Sequence, residues 1–167
     1  MPAPSIGPAA APAAVPVPTG AATDPAGPVQ PGAVATRPAV PLTALADFGT
    51  GVTATITGSR LVTSAGQGPG EIAGQPSVAF TVALTNASGR PVDLTEVTVA
   101  GYYGPQSTPA SPTNGPPTAP FRGTLAKGGA TSGTYTFLVP PEGRSDVQLQ
   151  ISYLADQPTV VLRGAVR

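Results

Sequence analysis

From Phe48 onward, apolar and polar residues alternate in short runs with a period of two, and Gly, Pro, Asn or Ser closes each run. A period of two belongs to a strand with one buried face, because successive side chains of an extended chain point to opposite sides. Val52, Ala54 and Ile56 alternate with Thr53, Thr55 and Thr57, which predicts a first strand with an apolar face and a threonine face. Gly58 then marks a bend or bulge before the run resumes at Arg60, Leu61 and Val62. Ser77 to Asn86 is the clearest strand, with Val78, Phe80, Val82 and Leu84 on one face and Ala79, Thr81, Ala83 and Thr85 on the other, and it is expected at the centre of a sheet.

Ala87 to Pro91 turns the chain, and Leu94 to Tyr103 resumes with Val97, Val99, Gly101 and Tyr103 on one face; Leu94 is out of phase with Val97, so a bulge is expected near Thr95 and Glu96. Phe121 to Leu125 reads as a short strand. Thr134 to Val139 points Tyr135, Phe137 and Val139 inward until Pro140 and Pro141 stop it. Val147, Leu149, Ile151 and Tyr153 form the next inward face, and a last strand runs from Thr159 to about Val166. Seven strands, most starting ten to fifteen residues apart, predict an all-β antiparallel sandwich or barrel rather than βαβ units. No segment has helical periodicity.

The N-terminal part is different. Residues 1–46 hold eleven prolines separated mostly by Ala and Gly, with only Asp24 and Arg37 charged. Proline removes backbone donors and drives its predecessor into extended conformations, so this stretch is expected to be a disordered, polyproline-biased tether in front of a domain at 47–167. Fully extended at ~3.1 Å per residue it would reach roughly 140 Å.

Composition narrows the chemistry. The 167 residues contain no His, Cys or Trp, and eight acidic side chains balance eight basic ones, so the formal charge is zero. A nucleic-acid footprint needs clustered Lys and Arg, and none is present. The opening Met1-Pro-Ala-Pro-Ser lacks the basic and apolar regions of a signal peptide, and no apolar run is long enough to span a membrane. Seven Arg against one Lys, together with abundant Ala, Gly and Pro, fits a GC-rich coding sequence and an actinobacterium-like source. Asp93 with Glu96, and Glu142 with Asp146, are the candidate acid–base pairs, but both sit at turns where carboxylates serve the backbone. A weak calcium site at Asp93 and Glu96 has too few carboxylates to be tight.

Gly66 to Glu71 is glycine-rich without the Lys-Ser/Thr ending of a phosphate loop and reads as a flexible loop. Asn86-Ala87-Ser88 fits the N-glycosylation pattern, but three-residue matches arise by chance and a bacterial source makes this one silent. Without a His, and with its single Lys127 in a Gly-rich turn, the chain offers no base for a serine nucleophile, so a non-enzyme with no cofactor and no metal site is expected.

The segment Gly104 to Pro120 carries six prolines and follows Tyr102 and Tyr103. It reads as a long loop inserted into the sandwich, and the favoured reading puts Tyr103 in the core and Tyr102 over a sheet face with the loop a tolerated insertion; on the alternative, Tyr102, Tyr103, Gln106 and Phe121 are the candidate partner contacts, since rigid aromatic area beside a stiff backbone suits binding. Deleting residues 106–118 is expected to leave the fold stable.

The residues Val82-Ala83-Leu84-Thr85-Asn86-Ala87-Ser88-Gly89-Arg90-Pro91, then Leu125 to Gly129, then Gly133-Thr134-Tyr135-Thr136-Phe137-Leu138-Val139-Pro140, then Leu149 to Tyr153, resemble immunoglobulin-like domains of unknown function in lipoproteins and membrane-tethered proteins of Gram-positive bacteria. The resemblance implies a seven-stranded immunoglobulin-like β-sandwich outside the cytoplasm, tethered at the cell envelope and acting through contacts with a protein or an envelope polymer. A structural or decoration protein of a virion is the alternative. A carbohydrate-binding accessory domain is disfavoured, because Trp is absent and exposed aromatics are few.

Overall fold

A computed structural model describes residues 35–167, and the part of the expected tether at residues 1–34 lies outside them. Twelve strands are present: β1 (Val40–Pro41), β2 (Ala46–Asp47), β3 (Val52–Thr63), β4 (Pro76–Asn86), β5 (Val92–Asp93), β6 (Thr98–Tyr103), β7 (Thr108–Ala110), β8 (Pro112–Thr113), β9 (Thr124–Leu125), β10 (Ala130–Leu138), β11 (Val147–Ser152) and β12 (Val160–Gly164). They form two five-stranded sheets, β1-β12-β11-β6-β7 and β2-β3-β4-β10-β8, with β5 and β9 as a separate pair. All pairings are antiparallel except that of β1 with β12. The chain is thus an all-β sandwich with more strands than the seven expected.

The apolar faces read from the alternation meet between the sheets. Val78, Phe80, Val82 and Leu84 of β4 are fully buried, as are Leu149 and Ile151 of β11. β4 is the middle strand of its sheet. Phe80 and Phe137 come from neighbouring strands, their ring centroids 6.5 Å apart and tilted at 52°. Gly101 lies beneath that pair: a Cβ there would fall 2.8 Å from a ring carbon of Phe137, so the residue is Gly because the ring rests against its backbone. Truncating Phe80 to Ala should cost about 3–5 kcal/mol, whereas Thr81→Ala, on the outer face of the same strand, should cost under about 1 kcal/mol. Equal urea midpoints for the two variants would contradict this register.

Three expectations are corrected. Residues 36–46 are not tether. Thr36 bridges Thr159, β1 pairs with β12, and Leu42 packs against both halves of the core before β2 reaches the other sheet at Ala54 and Thr53. Ala46 is itself buried. The physical reason is that Pro38 and Pro41 occupy an edge, where a missing N–H has no neighbour to disappoint.

The Gly104–Pro120 segment is also not a free loop. It supplies β7 to the edge of one sheet through Tyr103↔Thr108, then β8 to the edge of the other through Thr136↔Thr113, with Ala110 and Thr113 buried. It is a strand that changes sheets, and Pro109 and Pro112 again sit on edges.

Finally, the phase break at Leu94 is not a bulge. Leu94–Glu96 is a 3₁₀ turn capped by Asp93, whose Oδ1 accepts from the Thr95 amide at 2.9 Å and the Thr95 hydroxyl at 2.6 Å. Those hydrogen bonds hold the Asp93 carboxyl below its ordinary value. The bulge expected at Gly58 is present, where the β3–β4 register shifts between Ile56 and Gly58.

Candidate functional site

The candidate contacts do not come together on the surface. Phe121 is a core residue, 5.7 Å from the Tyr135 ring between centroids, with its amide donating to the Tyr135 hydroxyl at 3.1 Å. Burial pushes the Tyr135 hydroxyl upward in pKa. Tyr103 packs inward against the Phe80–Phe137 half of the core. Tyr102 points to the outer face, in register with Gln148 and Pro109, and Gln106 is exposed. Of the four, Phe121 is buried, Gln106 is exposed, and Tyr102 and Tyr103 are both half-buried but on opposite faces, because strand alternation sends neighbours to opposite sides.

One carboxylate of each candidate pair serves the structure, while Glu96 and Glu142 are exposed. Asp93 caps a turn, and Asp146 forms a two-point ion pair with Arg163 at 2.7 and 2.5 Å. Hydrogen bonding to Arg163 holds the Asp146 carboxyl below its ordinary 3.8. A carboxyl depressed on folding contributes stability above its unfolded value and loses it as the pH falls through the folded value. Asp146→Asn should therefore cost under about 1 kcal/mol at neutral pH, since the pair is partly exposed, and should flatten the acid side of the stability profile below about pH 4. An unchanged acid limb would contradict it. Among the described residues no cluster of three or more His, Cys, Asp or Glu is placed to hold a metal ion.

Asn86, the first residue of the glycosylation-pattern match, is fully buried and satisfied. Its Nδ2 donates to the carbonyls of Arg90, Leu125 and Ala126, and its Oδ1 accepts from the amide and hydroxyl of Ser88. It pins the turn after β4 to the turn before β10 and has no atom free for modification.

The glycine-rich loop is likewise held. Ser64 donates its hydroxyl to the Ile72 carbonyl and accepts from the Gln75 amide, while Glu71 Oε1 accepts from the Asn114 amide and side chain.

The surface that stands out is one the sequence reading passed over. Past its bulge, β3 has no neighbour on its outer side among the described residues, because β2 covers only Thr53 and Ala54. Which backbone groups face out follows from the ladder. The Val139 amide donates to the Pro76 carbonyl, and the Thr57 hydroxyl donates to the Thr81 carbonyl. Even-numbered β4 residues therefore bond to β10 and odd-numbered ones to β3. Their β3 partners in the even rows, Ser59, Leu61 and Thr63, must turn N–H and C=O away from β4.

Of the four exposed large apolar side chains, Leu61 (47%), Leu45 (62%) and Ile72 (68%) lie on this edge or at its two ends. A shallow groove of about 510 Å³ beside Leu61 is walled by Val62, Pro76, Pro141 and Arg144. The signal that could have found it was Leu61 followed by Val62, an apolar residue on each face just beyond a bulge.

No protein-family model matches the chain, and no curated protein matches it in sequence. Among solved structures it is similar to the YjhA protein of Bacillus subtilis at a TM-score of 0.55 and 12% identity, over 68% of this chain and 92% of that one. It is also similar to YcdA of Bacillus subtilis, described as a candidate lipoprotein, at 0.51 and 17% identity over 69% of this chain and 37% of that one. An uncharacterised β-sandwich protein of Clostridium difficile aligns at 0.46 and 11% identity, over 78% of this chain and 95% of that one. The first two likenesses establish a shared fold. None of the three comes from an actinobacterium, so the source inferred from composition gains nothing from them. No helix among the described residues is long and apolar enough to cross a membrane.

Proposed function

We propose that the chain is a non-catalytic interaction module displayed at a bacterial cell envelope, and that it makes its contacts through the open edge of β3 and the loop that follows it. The observation that carries this reading is the polarity of the sandwich. Thr36 pairs with Thr159 beside the turns at 87–91 and 153–158, so the proline-rich stretch before residue 35 joins the domain at that end. The β3–β4 hairpin, with the exposed Ile72, lies at the opposite end beside Pro140 and Tyr103. A spacer at one end and an apolar, hydrogen-bond-hungry surface toward the other is the layout of a presented domain. The likeness to a candidate lipoprotein supports an envelope location.

The test is a photo-cross-linking residue placed at Leu61 or, as control, at Leu154 in intact cells. Adducts from position 61 in the envelope fraction, with none from position 154, are expected. Recovery of the domain only from the cytosol, or no adduct from position 61, would contradict the reading.

A further inference from the structure

We infer that the occupant of the β3 edge is a second copy of the same chain, added antiparallel so that the two β3 strands join one continuous sheet. This rests on the reading of that edge as the contact surface.

Natural sheets blunt their edges, commonly with proline, charge or very short strands. Here β1 carries Pro41, β7 carries Pro109, β8 carries Pro112, and β2 is a two-residue strand ending in Asp47. The run Gly58-Ser59-Arg60-Leu61-Val62-Thr63 has no proline and no covering segment among the described residues, and Arg60 is its one charge. It is the longest stretch of edge left uncovered, the other edge strands being two or three residues long.

Its symmetry selects the occupant. The open run is bounded by the bulge at Thr57 on one side and on the other by the end of β3 at Thr63, after which Ser64 closes the hairpin loop through Gln75 and Gly74. Leu61 sits midway, and the outward-facing residues Ser59, Leu61 and Thr63 are disposed evenly about it. A two-fold axis at Leu61 pairs Leu61 with the partner's Leu61, Ser59 with the partner's Thr63, and Thr63 with the partner's Ser59. Each of these is a hydrogen-bonded pair, giving about six new main-chain bonds. A foreign strand has no need of that symmetry, but an isologous interface requires it.

The same operation also matches the remaining apolar residues. Continuing the antiparallel register, with the bulged Thr57 taking no row, sets Thr55, and with it Leu45 one residue before β2, at the height of residue 66 in the partner's hairpin loop. That loop carries the exposed Ile72. Leu61 meets its own copy, and Leu45 faces the loop bearing Ile72 in both directions. On the outer face the aliphatic stem of Arg60 lies across the partner's Val62.

The N-terminal stretch of the chain itself is a poor occupant of this edge, since its prolines at 2, 4, 8, 12, 16, 18, 25, 28 and 31 remove the amide donors an added strand must supply.

Sedimentation velocity on the full chain, over a concentration series reaching about 1 mM, tests this. The parent should shift from monomer to twice that mass, and Leu61→Lys should weaken the association at least about tenfold while Leu154→Lys leaves it unchanged. Because the chain has no Cys, Leu61→Cys supplies a single thiol that should cross-link to its copy on mild oxidation, whereas Leu154→Cys should not. Paired strands hold such Cα atoms about 5.5 Å apart, within disulfide reach. A monomer at every concentration, or a dimer that Leu61→Lys leaves intact, overturns the proposal. If the chain is monomeric yet position 61 cross-links to a different protein in cells, the edge remains the contact surface and only the second copy is removed as its occupant.

Discussion

Replacing Asn86 by Asp should unfold the domain at neutral pH, and Asn86→Ala should cost about 3–5 kcal/mol. The side chain is fully buried, and its amide nitrogen is the donor shared by three carbonyls on two different turns. Alanine leaves those carbonyls and the Ser88 amide without their partner in a site too tight for ready repair. Aspartate adds a charge facing three carbonyl oxygens, and a buried charge without a counter-ion is far costlier than a missing hydrogen bond. Stability of the Asp variant should return in part as the pH falls and the carboxyl takes up a proton, the direction expected of a group whose folded pKa is raised. Chemical denaturation of both variants from pH 4 to 8 checks this. A parent-like midpoint for Asn86→Asp at pH 7 would mean the two turns are held together by something else.

Deleting residues 106–118 should abolish cooperative unfolding rather than leave the sandwich intact. The segment supplies an edge strand to each sheet, and Ala110 and Thr113 are among its buried residues. Removing it uncovers one flank of Phe137 and leaves β6 and β10 as bare edges. The deletion should lose the thermal transition seen in the parent by circular dichroism. A retained sharp transition would return the segment to the status of a tolerated insertion.

Both of these results bear on what the sequence makes legible. Period-two alternation locates β3, β4, β6, β10, β11 and β12, because each has one face buried against the opposite sheet and burial is what alternation records. It cannot locate β1, β7 or β8, which are two or three residues long and contain proline. Proline clusters look like loop in a sequence because proline cannot serve inside a sheet, yet an edge strand needs only half of its backbone groups bonded. The segments 36–41 and 108–113 use that tolerance, and for the same reason the domain begins earlier than composition suggests.

The contact surface is hidden for a related reason. Tyr102, Tyr103 and Phe121 draw attention by size, but their exposure depends on which face each one takes, and two of the three turn inward. Leu61 is an ordinary strand residue by sequence. It lies on a bare edge because β2 pairs only with Thr53 and Ala54 and stops short of it, a fact of tertiary arrangement. Asn86 presents the opposite case: the Thr-Asn ending of its strand is visible in the sequence, and the structure shows its role to be that of a buried bracket between turns.

Residue-resolved amide exchange along β3 tests the account most directly. In dilute protein the amides of Ser59, Leu61 and Thr63 should exchange rapidly, while those of Arg60 and Val62, bonded to β4, exchange slowly. As the protein is concentrated the first set should become protected in step with the rise in mass. Uniform protection of all five amides in the dilute monomer, or an edge that stays unprotected while association proceeds, would contradict the claim that β3 presents an open edge and that contacts are made there.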